Sequence, residues 1–361
     1  MKSKIVVVGA SGMAGRYFIQ HAERHHPDWS LVAIARRPLD FASKAQFFGL
    51  DLTDAAASRQ VFSQISGVTA MVFAGFINAP DWLAQVAPNR QILINALAGL
   101  EAGDNHLQRV VLIQGMKYYG SHLGAFKTPA REDDPRHMPP NYYYAQQDIL
   151  EAAQQKAAKT SAPWHWTCLR PHVIAGYGAR SSQNLLTVLG VYASLCKALN
   201  LPLCFPGSPG AFGAINQATD ARLLARAIAW SLQEPACANQ AFNITNGDYF
   251  RWEHLWPKIA QRFGLTTGPV RQLDLASQMA DKAPVWQALV RQHQLLDTPF
   301  EQLVHWPFAD YILRTDWDVM ANTTKARQAG FADCLDTEAM YLELLSDLQA
   351  RQVLPPADQD D

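Results

Sequence analysis

The stretch from Ile5 to Tyr17 reads IVVVGASGMAGRY. Four β-favouring apolar residues, Ile5 to Val8, break at Gly9, and glycines recur at 12 and 15, where a helical pattern through Met13, Tyr17 and Phe18 begins. Strand, glycine loop and helix in that order suit a dinucleotide. Its pyrophosphate has to approach the backbone N–H groups of a helix N-terminus, and a β-carbon at Gly9 or Gly12 would obstruct it. The helix dipole favours the phosphate charge. The spacing is G-x-x-G-x-x-G rather than the commoner G-x-G-x-x-G, and its position directly after a strand near the start of the chain gives it weight. Gly9, Ser11, Gly12, Met13 and Gly15 are the expected contacts.

Working outward, Leu31 to Ala35 reads as a second strand that runs into Arg36, Arg37 and Pro38. An acid at this point would hold the ribose hydroxyls of NAD, whereas guanidinium groups suit the 2′-phosphate of NADP. NADP(H) is therefore the expected cofactor. Phe47 to Leu50 fits a third strand, followed by Asp51, Leu52, Thr53 and Asp54. Asp51 and Leu52 are expected beside the adenine, and Asp54 can cap the next helix. Thr69 to Ala74, Arg109 to Ile113 and Trp166 to Leu169 supply three more strands, with a long helical pattern from Asp81 to Leu100 between the first two. Strands alternating with helices at this spacing make an α/β protein with a doubly wound parallel sheet, a Rossmann fold, whose ligands sit at the carboxyl ends of the strands.

The 361 residues exceed most single cores, so a smaller substrate-binding lobe is expected beside the sheet. The Rossmann domain is assigned to 1–180 with a returning segment at about 211–235, which includes the amphipathic pattern from Asp220 to Leu232. The lobe is assigned to 181–210 and 236–361, with 355–361 a disordered acidic tail. Apolar content of 48% with 17% charged residues describes an ordinary globule, and a net charge of −1 gives no basic excess for nucleic acid or an anionic membrane. Five widely spaced cysteines without a C-x-x-C pair read as reduced thiols of a cytoplasmic protein, not as a zinc site or disulfide frame. No metal site is expected, and a homodimer is left open.

The order of elements resembles the extended short-chain dehydrogenase/reductases, most of which carry a catalytic Y-x-x-x-K. None of the eleven tyrosines here has lysine four residues later. The glycine loop, ARRP after the second strand, D-L-T-D, G-x-K-x-Y at 115–119, N-x-Y-Y-x-x-x-D at 141–148, RP-x-x-I-x-G, PL-x-FPG and AFN-x-x-NGD together resemble the progesterone 5β-reductase/iridoid synthase-like family over roughly residues 5 to 265. That resemblance implies NADPH-dependent 1,4-reduction of an α,β-unsaturated carbonyl compound. It places the lysine on the loop after the fifth strand, here Lys117, and the tyrosine last in the aromatic run, here Tyr144, with Tyr143 the alternative. Both Lys117 and Tyr144 are also expected at the cofactor. The family pattern has threonine where this chain has Gln114, histidine where it has Tyr118 and an acid where it has Gln147.

Three consecutive tyrosines at a helix start point about 100° apart, so at most one faces the nicotinamide. Phe76, Tyr118, Asn184 and Trp306 are the expected substrate contacts, Ser181 a further one, and His172 and the His25–His26 pair are expected to have no role. The expected partner is a small apolar enone or enal. Two other activities are compatible with the fold: an extended reductase, epimerase or dehydratase working on a carbonyl or nucleotide sugar, and an NADP-binding sensor without chemistry.

Overall fold

A computed structural model describes residues 3–160, 163–178 and 184–357. The first half alternates strand and helix: β1 (Lys4–Val8), α1 (Met13–His25), β2 (Ser30–Ala35), β3 (Gln46–Gly49), α2 (Ala55–Phe62), β4 (Ala70–Phe73), α3 (Trp82–Ala102), β5 (Arg109–Ile113), α4 (Tyr142–Ala157) and β6 (His165–Pro171). Between β5 and α4 lies a 3₁₀ turn, Met116–Tyr119. Then come β7 (Ile174–Ala175), α5 (Leu185–Ala198), α6 (Pro209–Gly213), β8 (Thr219–Asp220), α7 (Ala221–Gln233) and β9 (Gln240–Ile244). The remainder is helical: α8 (Trp252–Arg262), α9 (Leu275–Gln278), α10 (Ala283–His293), α11 (Phe300–Leu303), α12 (Trp306–Leu313), α13 (Thr324–Gln328) and α14 (Thr337–Ala350).

Among the described residues, seven parallel strands form one sheet in the order β3-β2-β1-β4-β5-β6-β9. Burial on both faces explains the unbroken apolar runs. Along β1, Ile5 and Val7 join the core under α1 and α7, while Val6 and Val8 join the core under α2, α3 and α4. Strand order reverses between β1 and β4, which opens a crevice at their carboxyl ends. Helix starts follow the sequence: the side chains of Asp54, Asp81 and Asn141 each accept a backbone N–H of the first turn of α2, α3 and α4.

A third core gathers α5 with the C-terminal helices around Trp252, Trp256 and Trp286, each at most 2% exposed. One boundary has to be corrected. Residues 240–244, assigned by sequence to the smaller lobe, are β9, the edge strand paired with β6 from Thr167↔Gln240 to Pro171↔Ile244. Ala326 and Phe331 pack on the same core. The expected tail, 355–361, lies outside the described residues from 358 onward. No helix among the described residues is long and apolar enough to cross a membrane.

Candidate active site

The crevice at the β1–β4 reversal has a volume of about 410 Å³. One end is lined by Gly9, Ser11, Gly12, Met13, Arg36, Arg37, Asp51 and Leu52. Gly9 has φ +79°, and a β-carbon there would come 2.6 Å from the Ala74 carbonyl oxygen, so the turn out of β1 admits only glycine comfortably. Gly12 begins α1 without a side-chain cap, and no acid stands in the first turn. The free N–H groups of that turn therefore open into the crevice, which suits a phosphate. Arg36 and Arg37 are exposed, and among the described residues neither enters an ion pair. The Asp51 carboxylate accepts the backbone N–H and hydroxyl of Thr53 at 2.9 and 2.8 Å, which holds it below its usual range. Gly15 is the exception in this set. It does not line the crevice; a β-carbon there would collide with the Gly9 carbonyl, so its glycine lets α1 sit tightly on β1.

At the other end β5 delivers Gln114, Gly115 and Lys117. The Lys117 Nζ lies 4.4 Å from the centre of the Trp82 ring and 5.3 Å from that of Tyr311. Burial pulls its amine down to about 8, and among the described residues no carboxylate lies within ion-pair distance of it. Asn141, the cap of α4, ties this turn to the tyrosine run: its amide N–H donates to the Lys117 carbonyl at 2.8 Å and its Oδ1 accepts the Tyr143 N–H at 3.0 Å.

Tyr142 and Tyr143 line the crevice; Tyr144 does not. The Tyr144 hydroxyl donates to the Tyr118 carbonyl at 2.6 Å and accepts the His137 N–H at 2.9 Å, inside a separate cluster with Met116, Tyr118 and Val319. Residue 144 is thus corrected from reacting and cofactor group to packing group, the helix placing it about 100° away from Tyr143. Burial pushes the Tyr143 phenol above its usual range, and its bond with the Tyr142 hydroxyl works the other way.

Of the expected substrate contacts, Phe76 lines the crevice, its ring centre 5.5 Å from that of Tyr142. The other three do not. Tyr118 is sealed under the Arg170 guanidinium, 3.4 Å from its ring centre. Asn184 caps α5 and donates to the Gly176 carbonyl at 3.2 Å, and Trp306 packs with Phe300 in the third core. Ser181 lies outside the described residues. Sequence reasoning missed Phe308, Tyr311 and Ile312 of α12, which wall the crevice. Their i, i+3, i+4 spacing was the available signal, and nothing in it says which cavity the face meets. His172 also lines the crevice, with burial holding it neutral at about 4.

A profile of the PRISE-like Rossmann-fold domain matches residues 6–355. The chain belongs to this family. Among PRISE-like relatives, an (S)-8-oxocitronellyl enol synthase of Camptotheca acuminata is 30% identical over 370 residues, covering 98% of this chain and 94% of that protein. The 3-oxo-Delta(4,5)-steroid 5-beta-reductase of Arabidopsis thaliana is 28% identical over 374 residues, covering 98% of this chain and 94% of that protein. The fold of this PRISE-like chain extends further. UDP-glucose 4-epimerase of Thermotoga maritima superposes with a TM-score of 0.67 at 13% identity, covering 97% of this chain and 99% of that one.

Proposed function

We propose that the protein reduces a small apolar enone or enal at its conjugated double bond, using NADPH. The observation that carries this reading is the meeting of Lys117, from the turn after β5, and Tyr143, from the first turn of α4, in one crevice with the glycine loop. The residues fit the cofactor: uncapped N–H groups of α1 for the pyrophosphate, Asp51 and Leu52 for the adenine side, Arg36 and Arg37 for the 2′-phosphate. When bound, the nicotinamide supplies a hydride to the β-carbon.

Negative charge then develops on the carbonyl oxygen as an enolate forms, and the Tyr143 hydroxyl is the group to donate to it. A neutral phenol suffices, in keeping with burial that disfavours its ionised form. The α-carbon takes its proton from solvent. Lys117 supplies positive charge within the same crevice and a donor for the nicotinamide ribose. Phe76, Phe308 and Ile312 favour an apolar substrate body. Helices α5, α8 to α12 and α14, which share the third core, act as the substrate lobe. An epimerase-type reaction is less supported, because no tyrosine has a lysine four residues later, the spacing that such chemistry uses.

The test is incubation with NADPH and a panel of enones and enals, followed by repetition with deuterated NADPH. Deuterium on the β-carbon of a saturated carbonyl product supports the proposal. Label on the carbonyl carbon, or tight NADPH binding without turnover, overturns it.

A further inference from the structure

Ten residues, 36–45, connect β2 to β3, and their first two are the crevice arginines. The middle and the far end of this connection are tied to α1. Arg16 is only 4% exposed, and its guanidinium pairs with Asp40 while lying 4.6 Å from the Phe41 ring centre and 5.3 Å from that of Tyr177. Glu23 takes the far end: its Oε1 accepts the Ser43 hydroxyl at 2.6 Å and the N–H groups of Lys44 and Ala45 at 2.6 and 3.2 Å. Seven residues are close to two helical turns, so positions 16 and 23 share one side of α1. The same helix therefore opens on the phosphate end of the crevice and fixes the segment that carries Arg36 and Arg37.

We infer that Arg16 and Glu23 are positioning residues for cofactor selection: through Asp40 and residues 43–45 they strap the β2–β3 connection to α1, holding Arg36 and Arg37 where a 2′-phosphate would lie. This rests on the NADP reading above. An arginine on an untethered ten-residue loop would spend part of its binding energy on ordering that loop, and the strap removes this cost from dinucleotides bearing the extra phosphate. The effect has a sign that simple charge cannot mimic. Asp40 is negative and close to the arginines in sequence, so removing its charge would by Coulomb attraction alone tighten binding of an added phosphate. Loss of the strap weakens it.

The experiment is calorimetric titration of the full chain with NADPH, NADH and 2′,5′-ADP, for the unaltered protein, Asp40→Asn, Asp40→Glu and Glu23→Gln. The Asp40→Asn change is expected to weaken NADPH and 2′,5′-ADP about tenfold, roughly the value of one charge-assisted hydrogen bond, while NADH changes less than about twofold. Glu23→Gln, at the far end of the loop, keeps an acceptor and should give a smaller loss of the same selectivity, and Asp40→Glu should recover most of it. Should Asp40→Asn fail to fold, Glu23→Gln decides the matter, because a strap without influence leaves its NADPH to NADH ratio unchanged. Equal losses for NADPH and NADH, or tighter NADPH binding by Asp40→Asn, overturn the strap. Equal affinity of the unaltered protein for NADPH and NADH instead removes the NADP reading beneath it.

Discussion

Gly115 stands against the hydroxyl of Tyr143: a β-carbon at 115 would come 3.0 Å from that oxygen and 3.4 Å from the Pro171 carbonyl oxygen. The backbone at Gly115 is extended, so the requirement for glycine is one of space and not of conformation. Gly115→Ala is expected to push the phenol aside, lowering kcat for enone reduction by about tenfold, equivalent to about 1.4 kcal/mol in the barrier. Dinucleotide affinity, measured by titration, should stay within about twofold.

The two neighbouring tyrosines separate chemistry from packing. Tyr143→Phe removes the proposed oxyanion donor and should cost roughly 10²–10³ in kcat with little change in unfolding free energy. Tyr144→Phe removes the bonds to Tyr118 and His137 and should destabilise the fold by about 1–2 kcal/mol, read from denaturant midpoints, with a much smaller effect on rate. The reverse pattern would return the reacting role to residue 144.

Lys117 gives a pH dependence. Its amine titrates at about 8 in the folded protein and at about 10.4 in an unfolded chain. Because the folded value is the lower one, the unfolded chain holds more protons between these limits, and stability rises with pH across that window. Below about 8 burial of the charge costs its full amount. Lys117→Met should therefore be more stable than the parent at pH 7, by on the order of 1–2 kcal/mol after the lost contact with Trp82 is allowed for, with the difference vanishing above about pH 10.5. Enone reduction, if the ammonium form serves it, should decline as pH passes about 8, and a rate profile checks this.

Arg170 is 1% exposed and, among the described residues, bonds to neutral groups: Gln114 Oε1 at 3.0 Å, the Tyr119 hydroxyl at 2.8 Å, Gln147 Oε1 at 3.2 Å and the Glu132 carbonyl at 3.3 Å. Arg170→Met leaves several of these acceptors buried without a donor and should destabilise the fold by about 3 kcal/mol. Because Gln114 also donates to the Tyr143 carbonyl at 3.1 Å, the surviving folded fraction should show reduced kcat. Urea titration beside a rate assay separates the two effects.

Much of the sheet was legible because its strands are buried on both sides and so read as uninterrupted apolar runs; Arg109 to Ile113 has the bounds that the residues suggest. The place of Gln240–Ile244 was not legible. Its strand character is local, but pairing with β6 joins residues about seventy positions apart, and no period records the partner. The same distinction governs the site. Glycines and arginines announce their chemistry by type, whereas which of three tyrosines turns inward depends on the rotation of α4 about its Asn141 cap. Tyr118, Asn184 and Trp306 carry plausible chemistry, yet each is occupied elsewhere in the core.

The wall formed by Phe308, Tyr311 and Ile312 has a consequence for how such a protein diversifies. These three side chains belong to a short helix far along the chain from the glycine loop and from the lysine turn. On the function proposed above, exchanges among them would reshape the room offered to an incoming molecule and leave the reductant's seat untouched. Appetite and machinery can accordingly drift apart, one remodelled many times while the other is inherited unchanged.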